Sequence, residues 1–140
     1  LNMIQKKRKI ESINKEEFKM KFYVCEHCGN KITFVESKGV PVMCCGQKMT
    51  ELVPNTVDAA QEKHVPVVEQ DGDKVVVKVG SVEHPMVEEH LIQWVAVETE
   101  KGSQIKYLKA GEKPEAVFDL AGDKLVAVYE YCNLHGLWKA

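Results

Sequence analysis

A chain of 140 residues that is 44% hydrophobic and 29% charged suits one ordinary domain, or a small stapled module beside a core-bearing domain; it excludes a large multidomain enzyme and a disordered chain. A formal charge of -2 and a pI near 6.2 give no global basic field for nucleic acid. No apolar run approaches the ~18 residues of a membrane span, and the first thirty residues hold no secretory-type apolar stretch, so the expectation is a cytoplasmic protein with no membrane or nucleic-acid partner.

In chain order, residues 1–19 carry six basic against three acidic side chains, a net +3 against -5 for the remainder. This basic N-terminal extension reads as a solvated tail or short terminal helix, with Lys6 to Lys9 as its only patch. Residues 20–55 hold four cysteines and too few large apolar residues for an independent core, so something other than hydrophobic burial must staple them. After a polar connector from Asn55 to Ala60, residues 56–140 change character. Stretches 65–69, 74–79, 91–98, 105–108, 116–120 and 124–131 are rich in Val, Ile and aromatics and read as strands. Turn signals at Asp71-Gly72-Asp73, Lys101-Gly102-Ser103, Ala110-Gly111-Glu112 and Ala121-Gly122-Asp123 recur at the spacing of an antiparallel β-sandwich. The fold class is mostly β: a small four-cysteine metal domain followed by a sandwich.

Five cysteines leave one thiol over in any intramolecular disulfide scheme, which favours metal or catalytic use. Cys25-Glu26-His27-Cys28-Gly29 lets one tight turn aim two sulfurs at a single ion, and Cys44-Cys45-Gly46 supplies a second pair. A CxxC redox pair, a vicinal disulfide or four unrelated thiols are the alternatives. Coordination chemistry alone leans to zinc over iron here, since a closed four-thiolate shell suits either. His27 reads as solvated. Adjacent residues direct their side chains apart, so Cys44 and Cys45 predict a distorted shell.

The remaining histidines, His64, His84, His90 and His135, share the β-rich region with Cys132. Cys132-Asn133-Leu134-His135 has a spacing that brings sulfur and imidazole together from one turn, and His84-Pro85 to His90 brings two imidazoles from the ends of a short loop. Each histidine alone is more often a surface or core residue. As a set, four nitrogens and a sulfur exceed a structural tetrahedral zinc site and suit a five-coordinate transition metal with one open position, for which iron is the fitting occupant.

The stretches Phe22-Tyr23-Val24-Cys25-Glu26-His27-Cys28-Gly29-Asn30, Cys44-Cys45-Gly46, Asn55-Thr56-Val57-Asp58-Ala59-Ala60, Glu62-Lys63-His64-Val65-Pro66, Gly80-Ser81-Val82-Glu83-His84-Pro85-Met86 and Glu130 to Ala140 resemble the desulfoferrodoxins, two-iron superoxide reductases. The resemblance covers residues 20–140. It implies a desulforedoxin-like iron site at Cys25, Cys28, Cys44 and Cys45, tipping the zinc preference to iron. It also implies an immunoglobulin-like, neelaredoxin-like sandwich over 56–140, bearing a second iron with His64, His84, His90 and His135 equatorial and Cys132 axial. By the same resemblance, Lys63 attracts superoxide and organises protonating water, Glu62 ligates the open position in the oxidised state, a rubredoxin-like protein donates electrons, and the chain is a homodimer.

Superoxide is a small anion and a one-electron oxidant. Four neutral imidazoles and one thiolate leave a ferrous ion one net positive charge and a position open to an anion, which should draw association toward the ceiling of about 10⁸ to 10⁹ M⁻¹s⁻¹. An axial thiolate pushes electron density to the metal and favours release of intact hydrogen peroxide. Trp94, Trp138, Tyr129 and Tyr131 read as core. Two rivals are an electron carrier whose four-sulfur iron does the work and a zinc-ribbon module contacting nucleic acid, the latter lacking a basic and aromatic stripe.

Overall fold

The computed structural model describes residues 20–140; the basic extension 1–19 lies outside the described residues. The chain divides into two compact units with the boundary between Glu51 and Leu52.

In the first unit, β1 (Phe22–Val24) pairs antiparallel with β2 (Lys31–Thr33), and β5 (Thr50–Leu52) completes the sheet in the order β2-β1-β5. Between them, β3 (Met43–Cys44) and β4 (Gln47–Lys48) form a minimal hairpin in which Cys44 faces Gln47. Strands of two or three residues bury little. Among the described residues of this unit only Phe22, Cys25 and Met49 are buried hydrophobics, which fits a module that apolar burial alone does not hold.

The second unit opens with a four-residue helical turn, α1 (Gln61–His64), and continues as two antiparallel sheets. One has the order β10-β7-β6, from β6 (Pro66–Asp71), β7 (Lys74–Val79) and β10 (Glu115–Asp119). The other has the order β12-β11-β8-β9, from β8 (Ile92–Thr99), β9 (Ser103–Tyr107), β11 (Leu125–Cys132) and β12 (Gly136–Lys139). The chain crosses between sheets after β7, after β9 and after β10, as a β-sandwich requires.

Strand β7 shows why these residues form a sandwich. Val75, Val77 and Val79 are buried while Lys74 and Lys78 are exposed, the period of two that sends alternate side chains to opposite faces. The three valines meet Ala116 and Phe118 of β10, Ile92, Val95 and Val97 of β8, and Val128 and Cys132 of β11 in one core cluster. One ligand-type residue, Cys132, is therefore part of the hydrophobic core, where its position is fixed by packing.

Strand 74–79 has the expected bounds, the other expected strands shift at their ends by one or two residues, and two differences have a clear cause. The strand expected at 105–108 runs Ser103–Tyr107, because pairing with β8 sets Ser103 against Glu98 and Tyr107 against Trp94 and Leu108 falls beyond that ladder. Strand β12 was not anticipated; its four residues pair with Tyr129 to Cys132, and the tertiary partner makes a strand of a segment too short to declare itself.

Candidate metal centres

The four clustered cysteines meet. Cys25 follows β1 directly, and the turn after it is closed by Gly29 N–H donating to Cys25 C=O at 2.9 Å and Cys25 N–H donating to Asn30 C=O at 2.8 Å. Backbone N–H groups aim at sulfur from the same turn, Cys28 N–H at Cys25 Sγ and Asn30 N–H at Cys28 Sγ, each at 3.5 Å. The β3-β4 hairpin solves the problem of adjacent cysteines. Its two turn residues, Cys45 and Gly46, have φ of 52° and 73°, the left-handed pair of a type I′ turn, so Cys45 leaves the strand alternation and swings its sulfur back beside that of Cys44.

The Cys28 and Cys44 sulfurs lie 3.6 Å apart and those of Cys44 and Cys45 4.0 Å apart, with all four within 4.8 Å of one another. Four ligands at ~2.3 Å from one ion define a tetrahedron with edges of roughly 3.8 Å. The sulfurs fit such an ion, with the unevenness expected of a vicinal pair, and all four are free thiols rather than disulfides. His27 is exposed and outside the cluster. The Cys28 backbone N–H is the largest cause holding Cys25 down at about 6. Cys45 is pushed up to about 12, first by the hydrogen bonds it shares with Cys28 and Cys25, and Cys44 is raised by sharing with Cys25. One anionic sulfur is stable there; more negative charge calls for a cation among them.

The second cluster sits where strand ends and loops of the sandwich converge. His64 closes α1, and its Nδ1–H donates to Ala60 C=O at 2.7 Å. His84, in the loop after β7, donates Nδ1–H to Pro85 C=O at 2.7 Å. Each ring thus presents the bare lone pair of Nε2 inward, with the second nitrogen anchored to backbone as metal-binding imidazoles require. The two Nε2 atoms are only 3.3 Å apart, and His64 Nε2 is 3.0 Å from Nδ1 of His135. The bare Nε2 lone pairs of His64 and His84 repel at 3.3 Å unless a cation lies between them. His90 adds a buried Nε2 with no hydrogen-bond partner.

The rings form a square. Centroids of successive neighbours, His64 to His84, His84 to His90, His90 to His135 and His135 to His64, are 4.8, 4.6, 5.1 and 4.8 Å apart, with planes crossed at 77° to 89°; across the diagonal His64 and His90 are 6.4 Å apart and tilted by 31°. Nitrogen ligands at ~2.1 Å and right angles stand roughly 3.0 Å apart, near the separations of 3.0 and 3.3 Å here. Cys132 Sγ lies 3.9 Å from His135 Nδ1 and within 4.8 Å of the ligand atoms of His64, His90 and His135. These five side chains can hold a five-coordinate ion.

Burial, the largest cause in each case, lowers His64 and His90 and brings His84 down to about 4, which favours the neutral, metal-ligating form of these three imidazoles. Burial raises the Cys132 thiol, and N–H groups of Leu134 and His135 oppose that. On the same strand Glu130 is fully buried with both carboxylate oxygens unpartnered, and burial pushes it up to about 9, so it is a neutral acid at pH 7.

Glu62 and Lys63 are exposed on α1 beside His64, and the Lys63 charge is felt at both His64 and His90. The turn is anchored through Glu62 C=O, which accepts from Val82 N–H at 2.8 Å and Ser81 Oγ at 3.2 Å. Gly80 makes this approach possible: a Cβ there would lie 2.7 Å from Glu62 O and 3.0 Å from Lys63 C and Val65 O.

Sequence reasoning placed Trp138 in the core and gave it no part in the site. It is buried, but its ring stacks on His64 with centroids 4.9 Å apart and planes at 27°, and its Nε1–H donates to His135 C=O at 3.1 Å. Its place three residues after His135 was the available signal. Tyr129 is buried, whereas Trp94 and Tyr131 are half-buried and stacked on each other at 5.6 Å.

Comparison with known proteins agrees with this geometry. The desulfoferrodoxin family model matches residues 56–140. The chain is 48% identical over 122 residues to the desulfoferrodoxin of Syntrophotalea carbinolica, covering 87% of this chain and 96% of that protein. It is 48% identical over 118 residues to that of Nitratidesulfovibrio vulgaris, covering 84% and 93%. Among solved structures, the superoxide reductase from Treponema pallidum superposes with a TM-score of 0.73 at 41% identity, covering 87% of this chain and 98% of that one.

Proposed function

The chain belongs to the desulfoferrodoxin family, and from that premise we propose that it is a superoxide reductase that binds two iron ions. The observation that carries this is the square of four imidazoles with a core-anchored cysteine sulfur beside it. Cys25, Cys28, Cys44 and Cys45 would hold one iron and His64, His84, His90, His135 and Cys132 the other. Ferrous iron at the second site would supply one electron, so that superoxide takes up that electron and two protons to give hydrogen peroxide while the ion becomes ferric, and no oxygen is released.

The residues of the chain do the rest. His64 and His84, tied to backbone carbonyls through Nδ1, keep their Nε2 atoms aimed at one point without reorganisation, the preorganisation that electrostatic catalysis needs. Cys132, buried in the core between the sheets, would ligate the iron through its sulfur and donate electron density to it. Lys63, exposed on α1 next to His64, would draw the anion in with its ammonium and order the water that delivers protons. Glu62, exposed on the same turn, would be the carboxylate that ligates the iron in its oxidised state. Electrons return from a rubredoxin-like donor, and the protein works as a cytoplasmic homodimer.

Pulse radiolysis of the reduced, iron-loaded protein tests the reading. The full chain should consume superoxide in a fast second-order step that slows as salt is added, and Lys63→Ala should slow it several-fold and flatten its salt dependence. A reduced wild-type protein that reacts no faster than free ferrous iron would end the proposal; an unchanged Lys63→Ala would remove only the lysine.

A further inference from the structure

The backbone ladder between β8 and β11 loses its register between Tyr131 and Cys132, just where the chain must place Cys132, His135 and the neighbouring loop that carries His90. An asparagine side chain takes over there. Oδ1 of Asn133 accepts from Leu91 N–H at 3.0 Å, and Nδ2 donates to Glu89 C=O at 3.0 Å. Its own backbone N–H donates to Leu91 C=O at 3.2 Å. Glu89 and Leu91 flank His90, whose backbone is also tied in both directions to Val87 at 3.1 Å. The amide of Asn133 therefore acts as a substitute peptide group, offering one acceptor and one donor, and continues the pairing past the irregularity. Aspartate keeps the acceptor and lacks the donor, and alanine lacks both.

We propose that Asn133 is a positioning residue that locks His90 to the Cys132–His135 turn, so that three of the five metal-holding side chains form one rigid body. The inference rests on the reading of this cluster as an iron site. Groups that orient ligands without touching the metal typically govern affinity by roughly 10- to 100-fold, and Asn133 does so for three ligands at once.

The test uses the full chain loaded anaerobically with ferrous iron at both sites and challenged with increasing concentrations of a ferrous chelator; the four-cysteine site is the internal control. Asn133→Ala should lower affinity at the histidine site by roughly 10- to 100-fold, leave the four-cysteine site unchanged, and shift the ferric-thiolate absorption of the histidine site. Asn133→Asp, which keeps one of the two side-chain bonds, should fall between the two proteins and also serves if the alanine variant does not fold. Unchanged affinity and absorption in either folded variant, or equal losses at both sites, would overturn the proposal, the latter by showing a general loss of stability. Failure of the wild-type histidine site to retain iron would overturn the underlying reading and the proposal with it.

Discussion

The first unit carries its sulfurs on a turn and a minimal hairpin, with Phe22, Cys25 and Met49 as the buried hydrophobics among its described residues. The sandwich packs Val75, Val77, Val79, Ile92, Val95, Val97, Phe118 and Val128 into a continuous core and sets its site at the ends of that framework. A metal in the first unit is thus a large part of what folds it, whereas a metal in the second occupies a frame that stands without it. Metal binding serves as a staple in one and as a reaction site in the other.

Metal removal should break the comparison most visibly. Chelation under reducing conditions should unfold residues 20–51 while the sandwich persists, since binding and folding energy are one quantity where no core exists. Limited proteolysis of the stripped protein should cut within the first unit and leave residues 56–140 intact; protection of both units would show that the first has a sufficient core. Next in size, Phe118→Ala should cost the sandwich ~3–5 kcal/mol in denaturant unfolding without altering the absorption of the four-sulfur site.

A smaller effect is expected at Gly80→Ala. The added Cβ meets backbone at Glu62, Lys63 and Val65, so α1 must shift, at a cost of ~1–3 kcal/mol and with a slower superoxide step because Lys63 and His64 move together. Wild-type kinetics in that variant would show that α1 is free to adjust. The smallest effect falls far from either site. Asp123 is held below the usual carboxylate range by the Thr99 side chain and by backbone N–H groups of Lys124 and Lys101. Its folded value is depressed, so its contribution is present above the ordinary 3.8 and disappears as pH falls through the folded value. Asp123→Asn should lower the thermal midpoint slightly at neutral pH and match wild type in strong acid; a gap that widened with acid would contradict that sign.

Much of the arrangement was legible in the sequence because metal donors are rare, clustered and regularly spaced. Two sulfurs two residues apart, a second pair before a glycine, and four histidines segregated with one cysteine leave few chemical readings, and the period of two in β7 is plain. What the sequence withheld depends on contacts distant along the chain. The left-handed conformation of Cys45 is atypical of its residue type, and it alone lets neighbouring cysteines converge. Strand β12 exists because β11 pairs with it. Trp138 and Asn133 act through a ring stack and two side-chain hydrogen bonds of 3.0 Å across loops, and for the tryptophan the local signal is no more than its place three residues after His135.

Product stoichiometry bears most directly on the central claim. Reduced, iron-loaded protein mixed anaerobically with a limiting pulse of superoxide should yield one hydrogen peroxide for each superoxide consumed and no oxygen. One peroxide for every two superoxide, accompanied by oxygen, would show dismutation instead and contradict the assignment of this site as a reductase.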